Sequence, residues 1–169
     1  MRLLTNVIRR IAHAMHMVAG VLLIVMAVTV LIEVVTRALF GMTDGGLDLT
    51  IRGGVEIVSY SLLFMVLFAL PYSVSRGQVI VDLFTENMSE RLKMLLAGIY
   101  TLGFSFLGFA MATRFYESVE RVAMTGETTQ DLLIPLTYIY AISAFATFML
   151  GLRGLFVAID EIGKGLKTS

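Results

Sequence analysis

Four charged residues that could carry ion or proton chemistry stand within or at the edges of long apolar runs. They are Glu33, Arg37, Glu56 and Arg114. A carboxylate surrounded by hydrocarbon can relay a proton or bind a cation, yet a charge at the centre of a bilayer costs about 2.5–3.5 kcal/mol unless it is paired. Two acids and two arginines balance, which leaves little spare charge to bind a cation. We therefore predict that these residues form a structural charge clamp, with an ion or proton path as the alternative.

The spacing of the four residues permits mutual pairing. Glu33 precedes Arg37 by four residues, so the two side chains can pair along one face of a helix. Glu56 and Arg114 come from two other apolar runs and would complete a neutral set that joins three helices.

No catalytic, metal or cofactor site emerges from the other polar residues. The chain has no cysteine, which excludes thiol nucleophiles and thiolate metal sites. His13 and His16 are three residues apart and can share a helix face, but no carboxylate or cysteine lies near them in the sequence. We interpret them as interface residues, because a metal site needs further ligands.

Four apolar runs must position these residues. Each exceeds the ~20 residues that a helix needs to cross a bilayer, and they span roughly 15–40, 51–75, 92–118 and 133–159. Hydrophobic residues make up 57% of the chain and charged residues 15%, whereas about a quarter of an ordinary soluble domain is charged. We predict an all-α membrane protein with four transmembrane helices, forming a single membrane domain over 1–169. Any catalytic or cargo-recognition domain is expected on another chain.

Lysine and arginine are distributed unequally between the segments that flank the runs. Three precede the first run, three lie in the second loop and two in the tail, against one in each remaining loop. The positive-inside rule therefore predicts that both termini and the second loop are cytoplasmic. The two loops expected outside are short and acidic, and they contain Asp44, Asp48, Glu127 and Asp131.

The second loop shows its own helical periodicity. Apolar residues recur at helical spacing opposite polar ones, which predicts an amphipathic helix lying on the membrane over about 78–88. Its apolar face holds Ile80, Leu83, Phe84 and Met88. An early, continuous start of the third transmembrane helix is the alternative, and Val79–Val81 also permit a short extended segment.

Small residues line one face of the third run and one face of the fourth. They include Thr101, Ser105 and Gly108 on the third, and Thr147, Gly151, Gly154 and Ala158 on the fourth. Small faces allow helix backbones to approach closely, so we expect them to be helix-packing faces, whereas the opposite faces, with large side chains such as Phe104 and Phe148, could meet lipid or a larger partner. Arg153 is expected to extend its guanidinium to the cytoplasmic interface.

Four segments together resemble a known family, and the likeness covers nearly the whole chain. They are EVVTRALF at Glu33–Phe40, GGVEIVSY at Gly53–Tyr60, PYSVSRGQVIVDLF at Pro71–Phe84 and LLIPLTYIYAI at Leu132–Ile142. In this order and on four helices they resemble the small membrane subunit of tripartite ATP-independent periplasmic (TRAP) transporters, the DctQ-like subunit.

The resemblance implies a secondary importer in the bacterial inner membrane. A periplasmic binding protein would deliver an organic acid, commonly a carboxylate, to a large multi-helix membrane subunit that uses a sodium gradient. This chain would be the scaffold of that subunit, with membrane lipid as a further partner and no nucleic acid. As a hypothesis, the acidic loops with Asp44, Asp48, Glu127 and Asp131 help to dock the binding protein.

Two other functions stay open at this level. A stand-alone proton-coupled exporter would use Glu56 or Glu33 as its carrier, although such a site requires an uncompensated acid near the bilayer midplane. A scaffold for an unrelated membrane complex would share the same packing features and would differ only in its partner.

Overall fold

The computed structural model describes residues 2–44, 46, 49, 51–74 and 89–167. These residues form four α-helices, which are α1 (Arg2–Met42), α2 (Gly54–Ser73), α3 (Glu90–Thr125) and α4 (Leu136–Lys167). All four are long and apolar enough to cross a membrane. The prediction of an all-α membrane protein with four spanning helices is confirmed. The surface helix predicted over 78–88, with Ile80, Leu83, Phe84 and Met88, lies outside the described residues.

The ends of the helices follow local backbone rules. Helix α2 begins directly after Gly53, whose φ of 78° lies in the left-handed region that glycine adopts without steric cost. Helix α3 ends at Gly126, also left-handed at φ 69°, and the Gly126 amide donates a hydrogen bond to the Val122 carbonyl at 2.9 Å. Helices α1 and α3 continue beyond the predicted apolar runs, because helical hydrogen bonding persists through flanking charged residues that hydropathy leaves out.

The helices pack as two antiparallel pairs. Helices α1 and α2 form one pair, and α3 and α4 form the other, which has the more extensive contact. Helix α4 joins the pairs through contacts with α2 and, to a smaller extent, α1, whereas within the described chain α3 brings its backbone close to α4 alone. We call the end that holds Glu33 and the start of α2 the loop end, and the end that holds Arg9 and Tyr72 the terminal end.

A small apolar core lies where α1, α2 and α4 meet. Met15, Leu67 and Ala146, one from each helix, are buried together there. Partly buried side chains surround them, including Ile11, Leu63 and Met149. Since lipid tails are as apolar as these side chains, close van der Waals packing holds the helices together in a bilayer, with little help from the hydrophobic effect.

The closest backbone approach joins α3 to α4 through the predicted small faces. A methyl group added at Gly108 would lie 2.5 Å from the Gly151 backbone nitrogen and 2.9 Å from the Thr147 carbonyl oxygen. The Ser105 hydroxyl, which is buried, donates a hydrogen bond to the Gly151 carbonyl at 2.8 Å. The prediction that the small faces permit close helix packing is confirmed at these positions, and the structure shows that the two faces pack on each other.

We expect Gly108→Ala to destabilise the α3–α4 pair by about 1–3 kcal/mol, since the new methyl group meets backbone atoms that cannot move aside. Gly103→Ala is the matched control, because nothing lies within 4 Å of a methyl group at Gly103 on the same helix. Thermal unfolding in a mild detergent measures both variants. Equal melting temperatures for the two variants would contradict the close approach at Gly108.

Candidate functional site at the loop end

Two adjacent glycines allow other segments to approach the start of α2. A methyl group at Gly53 would lie 2.7 Å from the Leu132 side chain, so this position needs glycine for space as well as for its positive φ. At Gly54 an added methyl group would overlap the carboxylate of Glu33 from α1. The amino end of α2 therefore has α1 on one side and the loop between α3 and α4 on the other.

Glu56, in the first turn of α2, binds that loop through its carboxylate. The Asp131 amide donates to Oε1 at 2.8 Å, and the Leu132 amide donates to Oε2 at 3.1 Å. The amino end of a helix also favours a negative charge, because its free N–H groups carry partial positive charge. Glu56 thus ties the α3–α4 loop to α2 through main-chain donors.

The loop over residues 126–135 is closed by its own hydrogen bonds. The Thr129 amide donates to the Ile134 carbonyl at 2.9 Å, and the Ile134 amide donates to the Thr129 hydroxyl at 3.1 Å. Thr129 is only 3% exposed, so its hydroxyl is enclosed and does not face solvent. Between these bonds Leu133 adopts φ 54°, a left-handed conformation that costs a non-glycine residue about 1–2 kcal/mol. The flanking bonds maintain this strained turn.

The structure brings together only two of the four residues of the predicted charge clamp. Glu33 and Glu56 both lie at the amino end of α2, whereas Arg37 is exposed, and no ion pair within 4 Å joins it to Glu33 in the described part of the chain.

Arg114 pairs with Glu117 on its own helix at 3.0 Å, with both side chains largely exposed. Among the described helices α3 packs on α4 alone, so Arg114 does not reach Glu56. The Asp131 and Leu132 amides bind Glu56 where we predicted Arg114.

The acidic residues predicted for docking are exposed where the structure describes them. Asp44 follows the end of α1, and Glu127 and Asp131 share the closed loop. The Glu127 carboxylate accepts a hydrogen bond from the Thr125 hydroxyl at 3.1 Å, and the Asp131 side chain stays exposed while its amide binds Glu56. Asp48 lies outside the described residues. Docking stays a prediction.

An open cavity of about 380 Å³ lies beside the loop-end part of α1. Its lining residues are Val30, Glu33, Val34, Arg37 and Ala38. These positions recur at helical spacing and form one face of α1, so the cavity places Glu33 and Arg37 at the edge of an otherwise apolar surface. Such a surface suits another membrane helix better than a soluble ligand.

Sequence reasoning missed three residues of this site. The Gly53–Gly54 pair directly before an acidic helix start is a signal that could have indicated a close approach of other segments. Thr129 gives no such signal, because nothing in the sequence shows that a threonine in a polar loop is enclosed.

The fold and the site together define a multi-pass helical membrane protein. Each helix contains a central run without Asp, Glu, Lys, Arg or His, and these runs are 17–32, 57–73, 94–113 and 136–152. Glu33 and Glu56 lie outside these runs, at the loop end, where Glu33 lies against Gly54 and Glu56 accepts two loop amides.

Residues 26–162 match the family model described as tripartite ATP-independent periplasmic transporters, DctQ component. The match covers most of the chain, so the protein belongs to this family and is a small membrane subunit of the TRAP transporter type. Searches among curated proteins and solved structures gave no match. The resemblance noted in the four sequence segments is confirmed, and the family is one of transporter components.

We expect Glu56→Ala to loosen the loop over 126–135, because the Asp131 and Leu132 amides lose their shared acceptor. Hydrogen exchange of those two amides should accelerate by about tenfold. Glu117→Ala is the control, since its exposed pair with Arg114 contributes little to stability. Unchanged exchange in Glu56→Ala would show that the carboxylate does not hold the loop.

Proposed function

We propose that this chain is the stationary scaffold of a sodium-coupled importer that takes up organic acids, chiefly carboxylates, from a periplasmic binding protein. It would lie in the bacterial inner membrane with both termini in the cytoplasm. The large subunit would carry the substrate and sodium. The family match supports the transporter type. The distribution of polar residues supports a structural role for this chain, with transport carried out by the large subunit.

The apolar centre of every helix is the observation that best supports the scaffold role. Transporters bind substrate and ions near the bilayer midplane, at broken helices and polar side chains. The central runs of this chain hold no ionisable carboxylate, and the described helices continue unbroken through them. A subunit built this way contributes packing surface rather than a transport site.

The same observation argues against a stand-alone exporter. A carrier glutamate must exchange a proton for a cationic substrate, so its carboxylate must be accessible near the midplane. Both oxygens of Glu56 accept loop amides, and Glu33 lies against Gly54 at the same end. Both acids therefore contribute to helix and loop contacts.

Helix α1 is the surface that we assign to the large subunit. In the most apolar 18-residue stretch of each helix, 11% is buried in α1, against 22% in α2 and α3 and 44% in α4. Its exposed face is a continuous apolar stripe formed by Met17, Val21, Ile24, Val28, Leu31 and Val35. The cavity beside Arg37 lies on a different face of α1, at the loop end, and an acidic or carbonyl group of a partner helix there would stabilise the guanidinium.

The absence of cysteine makes this assignment directly testable with single-cysteine variants. We expect Ile24→Cys, labelled with a photoreactive maleimide, to crosslink to a large polytopic subunit in native membranes. Phe106→Cys on α3 is the control, because it is also exposed and central in its helix but lies on the far side of α4. Equal crosslinking from both positions would refute α1 as the specific contact. Recovery of the chain without any large partner would refute the scaffold role.

Docking of the binding protein is assigned to the acidic groups at the loop end. Asp44, Glu127 and Asp131 are exposed there, and Glu56 fixes the main chain of the loop that carries two of them. Complementary charges on two proteins speed their encounter and set their orientation, and salt screens this effect. A basic patch on the binding protein is therefore the expected counterpart.

Charge reversal tests this docking surface. In proteoliposomes that hold the complex, the combined change Asp44→Lys, Glu127→Lys and Asp131→Lys should raise the half-saturating concentration of binding protein by about tenfold at low salt. Sodium-driven uptake of a labelled carboxylate that the binding protein holds is the readout. Asp160→Lys at the terminal end is the control. Uptake that is unaffected by the triple reversal would exclude these acids from docking.

A further inference from the structure

Arg153 of α4 is an enclosed cation without a counter-charge in the described structure. The residue is 8% exposed, and its Nε atom is buried without a hydrogen-bond partner among the described atoms. We predicted from the sequence that this side chain extends to the cytoplasmic interface, but the structure encloses it within the bundle. An arginine stays protonated in proteins, so its site requires an anion.

A second cation lies at the same level of the bundle as Arg153. Met15 of α1 and Ala146 of α4 share the core, and toward the terminal end Arg9 lies six residues before Met15 while Arg153 lies seven residues after Ala146, so the two positive charges repel each other. Arg9 is exposed, so the cluster opens toward the surroundings of α1.

His13 and His16 follow Arg9 at helical spacing on the same face of α1. Their rings lie 5.5 Å and 4.7 Å from the ring of Tyr72 on α2. The buried Nδ1 of His16 has no hydrogen-bond partner in the described part either.

The described residues around this cluster provide no carboxylate for it. Residues 2–32 of α1 and 57–73 of α2 contain no Asp or Glu. On α4 the nearest acids in sequence are Asp160, which pairs with Lys164, and Glu161, which accepts a hydrogen bond from Thr101 of α3. Arg9 of α1 and Arg153 of α4 therefore lie at the same level near the terminal end, and neither forms an ion pair within 4 Å with a residue that the structure describes.

We propose that Arg9 and Arg153 bind the phosphate group of a membrane phospholipid. A guanidinium donates two parallel hydrogen bonds to phosphate oxygens, and one phosphodiester can accept from two arginines at once. Both residues lie where the apolar runs give way to charged residues, which is the level of lipid headgroups. Basic pockets between transmembrane helices are known to hold lipid headgroups in this way. Acyl chains extending from the site would lie against exposed apolar residues on the Arg9 side of α1, such as Leu23, beside the stripe that we assign to the large subunit.

The acidic side chain of another membrane subunit is the competing occupant. The phospholipid is favoured because Arg9 is open to the surroundings at headgroup level, where phosphate groups surround every membrane protein. A free phosphate ion shares the same chemistry, but it would gain nothing from the apolar helix surface beside the site.

Native mass spectrometry of the full chain in mild detergent tests the site, with phosphatidylglycerol as the titrated probe. We expect wild-type protein to retain the lipid, and Arg153→Gln and Arg9→Gln to bind it about tenfold more weakly. Arg10→Gln is the matched control, because it removes the same charge one residue along on a different face of α1. Arg9→Gln keeps the test decisive if Arg153→Gln fails to fold, since Arg9 is exposed.

Two further titrations identify the source of the phosphate. Inorganic phosphate should not compete with the lipid at equal concentration, and diacylglycerol, which lacks phosphate, should not bind at the site. Equal lipid affinity in wild type, Arg9→Gln and Arg153→Gln would overturn the proposal. If that result came with loss of the large subunit from Arg153→Gln complexes, it would assign the arginines to a partner carboxylate instead.

Discussion

Hydrocarbon cannot hydrogen-bond a peptide group, and the architecture of this protein follows from that constraint. Each spanning segment must satisfy its own N–H and C=O groups, so it forms a helix, and hydroxyl side chains in the spans bond to carbonyls nearby. Thr101, Ser143 and Thr147 all donate to a carbonyl four residues earlier in their own helix. Polar groups that cannot be satisfied in this way are placed at the helix ends.

The same constraint explains why the two helix pairs differ. Without water to drive apolar surfaces together, helices associate where their shapes permit close contact, and the small residues of α3 and α4 permit it along most of their lengths. Helix α1 lacks such a continuous small face and stays open on one side. The bundle therefore combines a closely packed half with a half whose outer surface is available to lipid or to another subunit.

Hydropathy and charge predicted the number of helices, the membrane class and the small faces, because those properties depend on composition and spacing. Lateral neighbours were harder to predict. The depth of Glu56 and Arg114 suggested a pair, but depth does not show that, among the described helices, α3 lies against α4 alone. Main-chain donors such as the Asp131 amide have no sequence signal. Arg153 illustrates the same limit, since its position in the run was clear and its enclosure by neighbouring helices was not.

The unequal lengths of the helices have a further consequence. Helix α2 has 20 residues, which is about 30 Å and matches the thickness of the hydrocarbon layer, whereas α3 has 36 residues. Met111 of α3 packs against the core that holds Leu67 of α2, and from that level the two helices continue for similar lengths to the loop end, where α2 begins at Gly54 and α3 ends at Thr125. The additional length of α3 therefore lies at the terminal end, where α3 extends about 20 Å further than α2. Arg91 and Lys93 stand on this extension, so the end of the bundle that protrudes beyond α2 is also the one that carries basic side chains on α3.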